Sequence, residues 1–234
     1  MHPIQTNFAH VAFIDLEAFG IYQPPPRPLP PMAQSFGLLT LSQPFLADFE
    51  IICSDGKRLG CSRKILEDRW PWFRAKLDDF KLRAKHIVEA QKRRKDTLAD
   101  ASDTASIAPS VIRSPTTTAA SMRLPAKSST ELRLTPRTLN IPEPSPVVQG
   151  FLQYLYTLTL CTPLQLSLPV LSALLVFARS YDDANLRALV VHALHEALSS
   201  GQWTAASVYE AATLGGCTAL QIRSLRIMMV WRSL

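Results

Sequence analysis

Two histidines and a glutamate, His192, His195 and Glu196, crowd one short stretch near the C-terminal third of this 234-residue chain. On a helix, His192 and His195 lie about one turn apart, a separation at which two imidazoles could share a zinc ion. No third ligand stands near them in sequence, and the opposite face of the same stretch is apolar. The trio therefore reads as a solvated helix face, with no metal and no cofactor implied. Four cysteines, Cys53, Cys61, Cys161 and Cys217, are scattered without any C-x-x-C pair, which reads as buried free thiols in a reducing compartment. None of the phosphate-cradling, nucleophile-elbow or zinc-protease patterns occurs, and 8 glycines offer few backbones suited to holding phosphate. The expectation is a chain that is not an enzyme.

The chemistry that remains is that of binding. Arg27, Pro28, Pro30 and Pro31 sit in a proline-dense tract, 24–31, where fixed φ and missing N–H groups favour polyproline II. Arg-Pro-Leu-Pro-Pro resembles a ligand of SH3-type domains, although Ala33 stands where a second spaced proline would be wanted. Lys92, Arg93, Arg94 and Lys95 form a basic cluster, read as solvated charge or as a nuclear-import or phosphate-contacting patch. Ser114-Pro115 and Thr135-Pro136 could accept proline-directed phosphorylation. The net charge of +6 is local: residues 81–138 hold 12 Lys or Arg against 5 Asp or Glu, leaving 13 against 14 elsewhere. With a near-neutral remainder, nucleic acid is not an expected partner.

The elements that position these groups follow from pattern. Residues 10–16 look strand-like and precede the proline tract. Asp55-Gly56 separates two short apolar runs, a hairpin signal because the tight turn needs φ > 0. Ser62 then offers an N-cap, and Pro71 opens a helix whose Phe73, Leu77 and Phe80 share a face. No aromatic residue occurs from Lys81 to Gly150. Such a segment cannot bury enough apolar area to offset its ordering entropy, so 97–134 reads as disordered, with 81–95 extending the preceding helix into solvent. A strand follows within 137–143, then helices from Ser145, over 168–180, through 186–197, and at 204–214 and 219–231. The 168–180 helix is apolar nearly all round and belongs at the centre of a helical cluster. The apolar run 164–178 is broken by Pro169 and stopped by Arg179, too short to cross a membrane. Met1–His10 is polar and lacks the apolar core of a signal peptide, so no membrane insertion is expected and the cytoplasm or nucleus is the expected location.

Together, LGCSRKILEDRWPWF at 59–73 resembles the strand-to-helix signature of BTB/POZ domains, with Leu66, Arg69, Pro71 and Phe73 in place. FLQYLYT at 151–157 looks like that family's helix end, and LLVFARSYDDANLRALVVHAL at 174–194 resembles its following helix pair. Ser62 stands where the family usually has histidine, and Trp70 replaces a small capping residue. The resemblance implies an α+β class: the BTB/POZ fold, a helical cluster flanked by a short-stranded sheet, with a long disordered insert. It further implies a proline-rich segment at 1–40, the domain itself at 41–198 interrupted by a basic insert at about 81–136, and the start of a BACK-like helical extension at 199–234. The piece at 11–25 could be the end of a kelch-type propeller repeat.

From the resemblance, Asp48 and Arg63 match a charged pocket at a homodimer interface, with Phe73, Tyr154 and Tyr156 as further candidates for a partner or dimer surface. The expected function is a protein-interaction module that self-associates and recruits partners, such as a substrate adaptor of a cullin-RING ubiquitin ligase. The alternatives are a signalling or cell-polarity scaffold of a Ras-type pathway without a ligase role and, behind both, a transcription regulator. The expected partners are a second copy, a cullin and an SH3-type domain.

Overall fold

The computed structural model describes residues 12–26, 29–100, 136–200 and 204–232. Of the basic insert, the described part is helix: α3 runs Pro71–Asp100, so 81–95 extend the preceding helix as expected, 97–100 are helical where disorder was expected, and residues 101–135 lie outside the described residues. The first element among the described residues is a 3₁₀ turn, Leu16–Phe19, with no strand over 12–15 where one was expected, and a helix, α1, Pro31–Ser42, follows. That helix corrects the linker reading at the end of the proline tract 24–31 and gives the last ten residues of the 1–40 segment a regular element. Pro31 is its first residue, the position where proline's missing N–H costs nothing, and a second 3₁₀ turn follows at Pro44–Leu46.

The strands β1, Phe49–Ile52, and β2, Arg58–Cys61, pair antiparallel with Phe49 opposite Cys61 and Ile51 opposite Leu59. Gly56 closes the turn at φ 78°, as the Asp-Gly pair requires. Asp55 Oδ1 accepts the Lys57 N–H at 3.2 Å, and its Oδ2 accepts the Ser145 N–H at 3.2 Å, so the hairpin tip also satisfies the first turn of a helix far along the chain. Hydrogen bonding from the Ser145 side chain foremost, with the Lys57 and Ser145 N–H groups adding to it against the opposing effect of burial, holds the Asp55 carboxyl below its ordinary range. β3, Thr138–Asn140, joins β1 in parallel, giving the order β2-β1-β3.

Short α2, Arg63–Arg69, precedes α3, and the remaining helices are α4 Ser145–Thr157, α5 Pro163–Leu166, α6 Leu168–Ser180, α7 Ala184–Ser200, α8 Ala205–Gly215 and α9 Thr218–Arg232. The fold is thus α+β and mainly helical. α6 packs against α4, α7 and α8, as its all-round apolarity demands. One core runs from Phe49 to Leu220 without a break near residue 198, so α8 and α9 share it with the helices before them. Trp70, fully buried between α2 and α3, sits at its aromatic centre: Phe151 lies edge-on at 4.8 Å, Tyr181 at 5.3 Å and Trp72 stacks at 5.0 Å. Among the described residues no helix is long and apolar enough to cross a membrane.

Candidate interaction surfaces

Asp48 and Arg63 do meet, through the backbone: Asp48 Oδ1 accepts the Arg63 N–H at 2.7 Å. The carboxylate so caps α2 from outside the helix. Ser62, expected to cap, occupies the N-cap position without a side-chain cap bond, and its own N–H donates to the Tyr156 hydroxyl at 2.7 Å. Asp48 and Arg63 also line a charged depression of about 490 Å³ with Lys64, Glu67 and Arg137. Three cationic side chains against two anionic ones give it a positive balance.

Phe73, Tyr154 and Tyr156 are core residues, which corrects their placement on a partner surface. Phe73 meets Phe49 edge-on at 5.3 Å. The Tyr154 hydroxyl donates to Asp183 Oδ1 at 3.3 Å, and that same oxygen accepts the Leu186 N–H at 2.9 Å at the start of α7. Burial raises the pKa of Tyr154, Tyr156 and Asp183 alike, holding each more firmly in its protonated form. The end of α4 is closed by Arg69, whose Nη1 donates to the carbonyls of Leu155 at 2.6 Å and Tyr156 at 3.2 Å, groups a helix terminus leaves unpaired.

α1 lies across this end of α4. Gly37 is the contact: a Cβ there would overlap the Tyr156 carbonyl oxygen, so glycine alone permits the approach. With that face down, Met32, Phe36 and Leu39, at spacings of four and three, point outward, 85%, 70% and 56% exposed. Phe45, in the 3₁₀ turn that follows, is 79% exposed. This apolar face was missed in the sequence because the segment reads as the tail of a proline-rich linker; Pro30-Pro31 ahead of an apolar run was the available signal.

Of the proposed docking prolines, Pro30 is the residue before α1 and Pro31 lies inside it, so the ridge cannot continue as polyproline II through 31; Arg27 and Pro28 fall outside the described residues. Arg93 is exposed on the distal half of α3, whose backbone also carries Lys92, Arg94 and Lys95; those three side chains lie outside the described residues.

His195 does not face solvent. It is 1% exposed, its Nε2 lies 3.1 Å from Glu17 Oε1, and Arg223 Nη1 lies 2.6 Å from its Nδ1. Since a guanidinium only donates, Nδ1 must be the acceptor and Nε2–H the donor to Glu17. Burial holds the imidazole's pKa below its ordinary value against the raising pull of Glu17, and the Arg223 charge adds to the lowering. His192 and Glu196 form a 3.5 Å pair on the more exposed side. Among the described residues no cluster of histidine, cysteine and carboxylate side chains could hold a metal.

No family model matches the chain, and no solved structure matches it significantly. Over 228 residues it is 26% identical to protein ral2 of Schizosaccharomyces pombe, a match that takes in 95% of this chain and 32% of that protein. The chain thus spans about a third of that relative's length.

Proposed function

We propose that this chain is a BTB/POZ-type interaction module that self-associates through the outer face of α1 and recruits partners to the assembly. The observation that carries the reading is the stripe of Met32, Phe36 and Leu39 followed by Phe45, all strongly exposed on a helix fixed to the core from behind. Apolar side chains gathered on one face, unlike scattered ones, mark a contact surface. A second copy is the occupant that the face suits, because a two-fold axis across a helix places identical apolar residues against one another and needs no complementary charge. The order hairpin, capped α2, α3, parallel β3 and α4, with Arg69 on the α4 carbonyls, is compatible with the family resemblance of 59–73 and 151–157.

The finer reading is that such a dimer serves as a substrate adaptor for a cullin-RING ubiquitin ligase, in which held proximity promotes transfer and the adaptor contributes no catalytic side chain. A second reading, a signalling scaffold without ligase role, draws slight support from the likeness to protein ral2. Sedimentation velocity tests the self-association: wild type is expected at twice the chain mass, and Met32→Glu/Phe36→Glu at the chain mass with an unchanged circular dichroism spectrum. A wild-type monomer at tens of micromolar, ~6 to 7 kcal/mol of association free energy, would refute it. Co-elution with a cullin then separates adaptor from scaffold.

A further inference from the structure

Residues 15–25 cross the groove between α7 and α9 as a strap, held by polar and aromatic contacts. Asp15 Oδ1 accepts the Glu17 N–H at 3.0 Å and starts the 3₁₀ turn, which Gly20 ends at φ 82°. Glu17 reaches the buried His195, Tyr22 stacks on the same imidazole at 4.5 Å, and the Tyr22 hydroxyl lies 2.7 Å from His192 Nδ1. From α9, Arg226 donates to the Ala18 carbonyl at 3.4 Å and lies over the Phe19 ring at 4.0 Å. The Arg223 guanidinium sits directly beneath Gly20, where a Cβ would approach its Cζ to 2.9 Å.

Arg223 is tied to α7 twice, through His195 and through Ser199 Oγ at 2.9 Å, so the His195 tautomer that turns its Nε2–H to Glu17 is set by groove residues. The occupant fits loosely. Ala18 is the only strap side chain that is buried, while Phe13, Ile14, Leu16, Phe19 and Ile21 stay more than half exposed. Cavities of about 530 Å³ and about 410 Å³ flank Tyr22 on its two sides, the larger reaching Arg179, Arg187 and Cys217. The recognised features are a carboxylate, Glu17, set against His195, and a tyrosine five residues later that stacks on the same imidazole and reaches His192.

We propose that the α7–α9 groove is a docking site for a partner protein's segment that forms a single turn bearing a carboxylate followed five residues later by a tyrosine, which residues 15–22 occupy in cis until displaced. Its recognition groups are His195, oriented by Arg223, for the carboxylate, Arg226 for the backbone carbonyl and ring that follow it, and His192 for the phenol. The cis strap sets the threshold: a short tether confers an effective concentration on the order of millimolar, so a free segment of equal intrinsic affinity competes poorly until it is abundant or makes further contacts in the flanking cavities. The site is distinct from the α1 face and stands whether or not the chain dimerises.

A fluorescein-labelled peptide of residues 12–25 tests this by anisotropy against the full chain and against full-length Glu17→Ala/Tyr22→Ala, whose strap is released. Binding is expected at least tenfold tighter to the released variant, lost again when Arg223→Ala is added, and absent for a peptide carrying the same two alanines. Equal affinity for both chains, equal binding of the alanine peptide, or no binding to a released variant that melts cooperatively would overturn the proposal. Should the released variant fail to fold, ¹⁵N-labelled wild type serves instead. Excess unlabelled peptide is expected to move the Gly20 amide resonance to its random-coil position, and an unmoved resonance would refute displacement.

Discussion

Replacing Gly37 by alanine sets two effects of opposite sign against each other. In an exposed helix position, alanine gains about 1 kcal/mol over glycine because the unfolded chain loses freedom. At Gly37 the new Cβ would overlap the Tyr156 carbonyl oxygen, stand 3.0 Å from its carbon and 3.4 Å from Thr157 Cγ2. The receiving surface cannot easily give way, because that carbonyl is held by Arg69 and the Tyr156 hydroxyl by the Ser62 N–H. α1 must therefore retreat by roughly 1 Å, and overpacking of that kind costs about 1–3 kcal/mol. Urea denaturation is expected to show Gly37→Ala destabilised by about 1 kcal/mol net, while Ser35→Ala, on the exposed side of the same helix, is neutral or slightly stabilised. A Gly37→Ala protein more stable than wild type would refute the close docking of α1.

Asp48→Ala is expected to cost about 1 kcal/mol as the loss of a helix cap, and Asp48→Asn only a few tenths, since the amide oxygen still accepts the Arg63 N–H. Equal losses in urea melts would make the negative charge, not the cap, the important property. His195 has its pKa depressed in the folded chain, so below about pH 6.5 the unfolded chain binds a proton that the folded one does not. Stability should fall as pH drops from about 6.5 towards the lower folded value, and His195→Gln, which can still donate to Glu17 and accept from Arg223, should flatten that limb of the pH–stability curve. Of the groups around it, Glu17 opposes the shift, while Arg223 and His192 reinforce it. Burial pushes the Cys61 thiol up to about 12, so iodoacetamide at pH 8 should label the half-buried Cys161 well before Cys61, as read by peptide mass spectrometry.

Where local chemistry decides the backbone, pattern reading reaches it. Asp55-Gly56 demands a tight turn, Ser145-Pro146 opens α4, and the all-apolar 168–180 stretch has to sit among other helices. Where a distant partner decides, it does not. Asp48 caps α2 across 15 positions, leaving Ser62 to serve a tyrosine 94 residues away. His195 looks like one of a solvated pair because its partners, Glu17 and Arg223, come from elements 178 and 28 residues distant. Phe73, Tyr154 and Tyr156, picked out by resemblance alone, build the core, and a resemblance in sequence gives no guide to which side chains reach the surface. α1 was hidden by composition, since prolines at its start resemble a linker until the chain beyond them is seen to pack.

The claim of self-association through α1 is tested most directly by placing the photo-crosslinking residue p-benzoylphenylalanine at position 36 and irradiating an equal mixture of light and ¹⁵N-labelled chains. Mixed-isotope crosslinks that map to residues 31–46 of the second copy are the predicted result. Crosslinks confined to one chain, or mixed crosslinks that fall elsewhere, would contradict it.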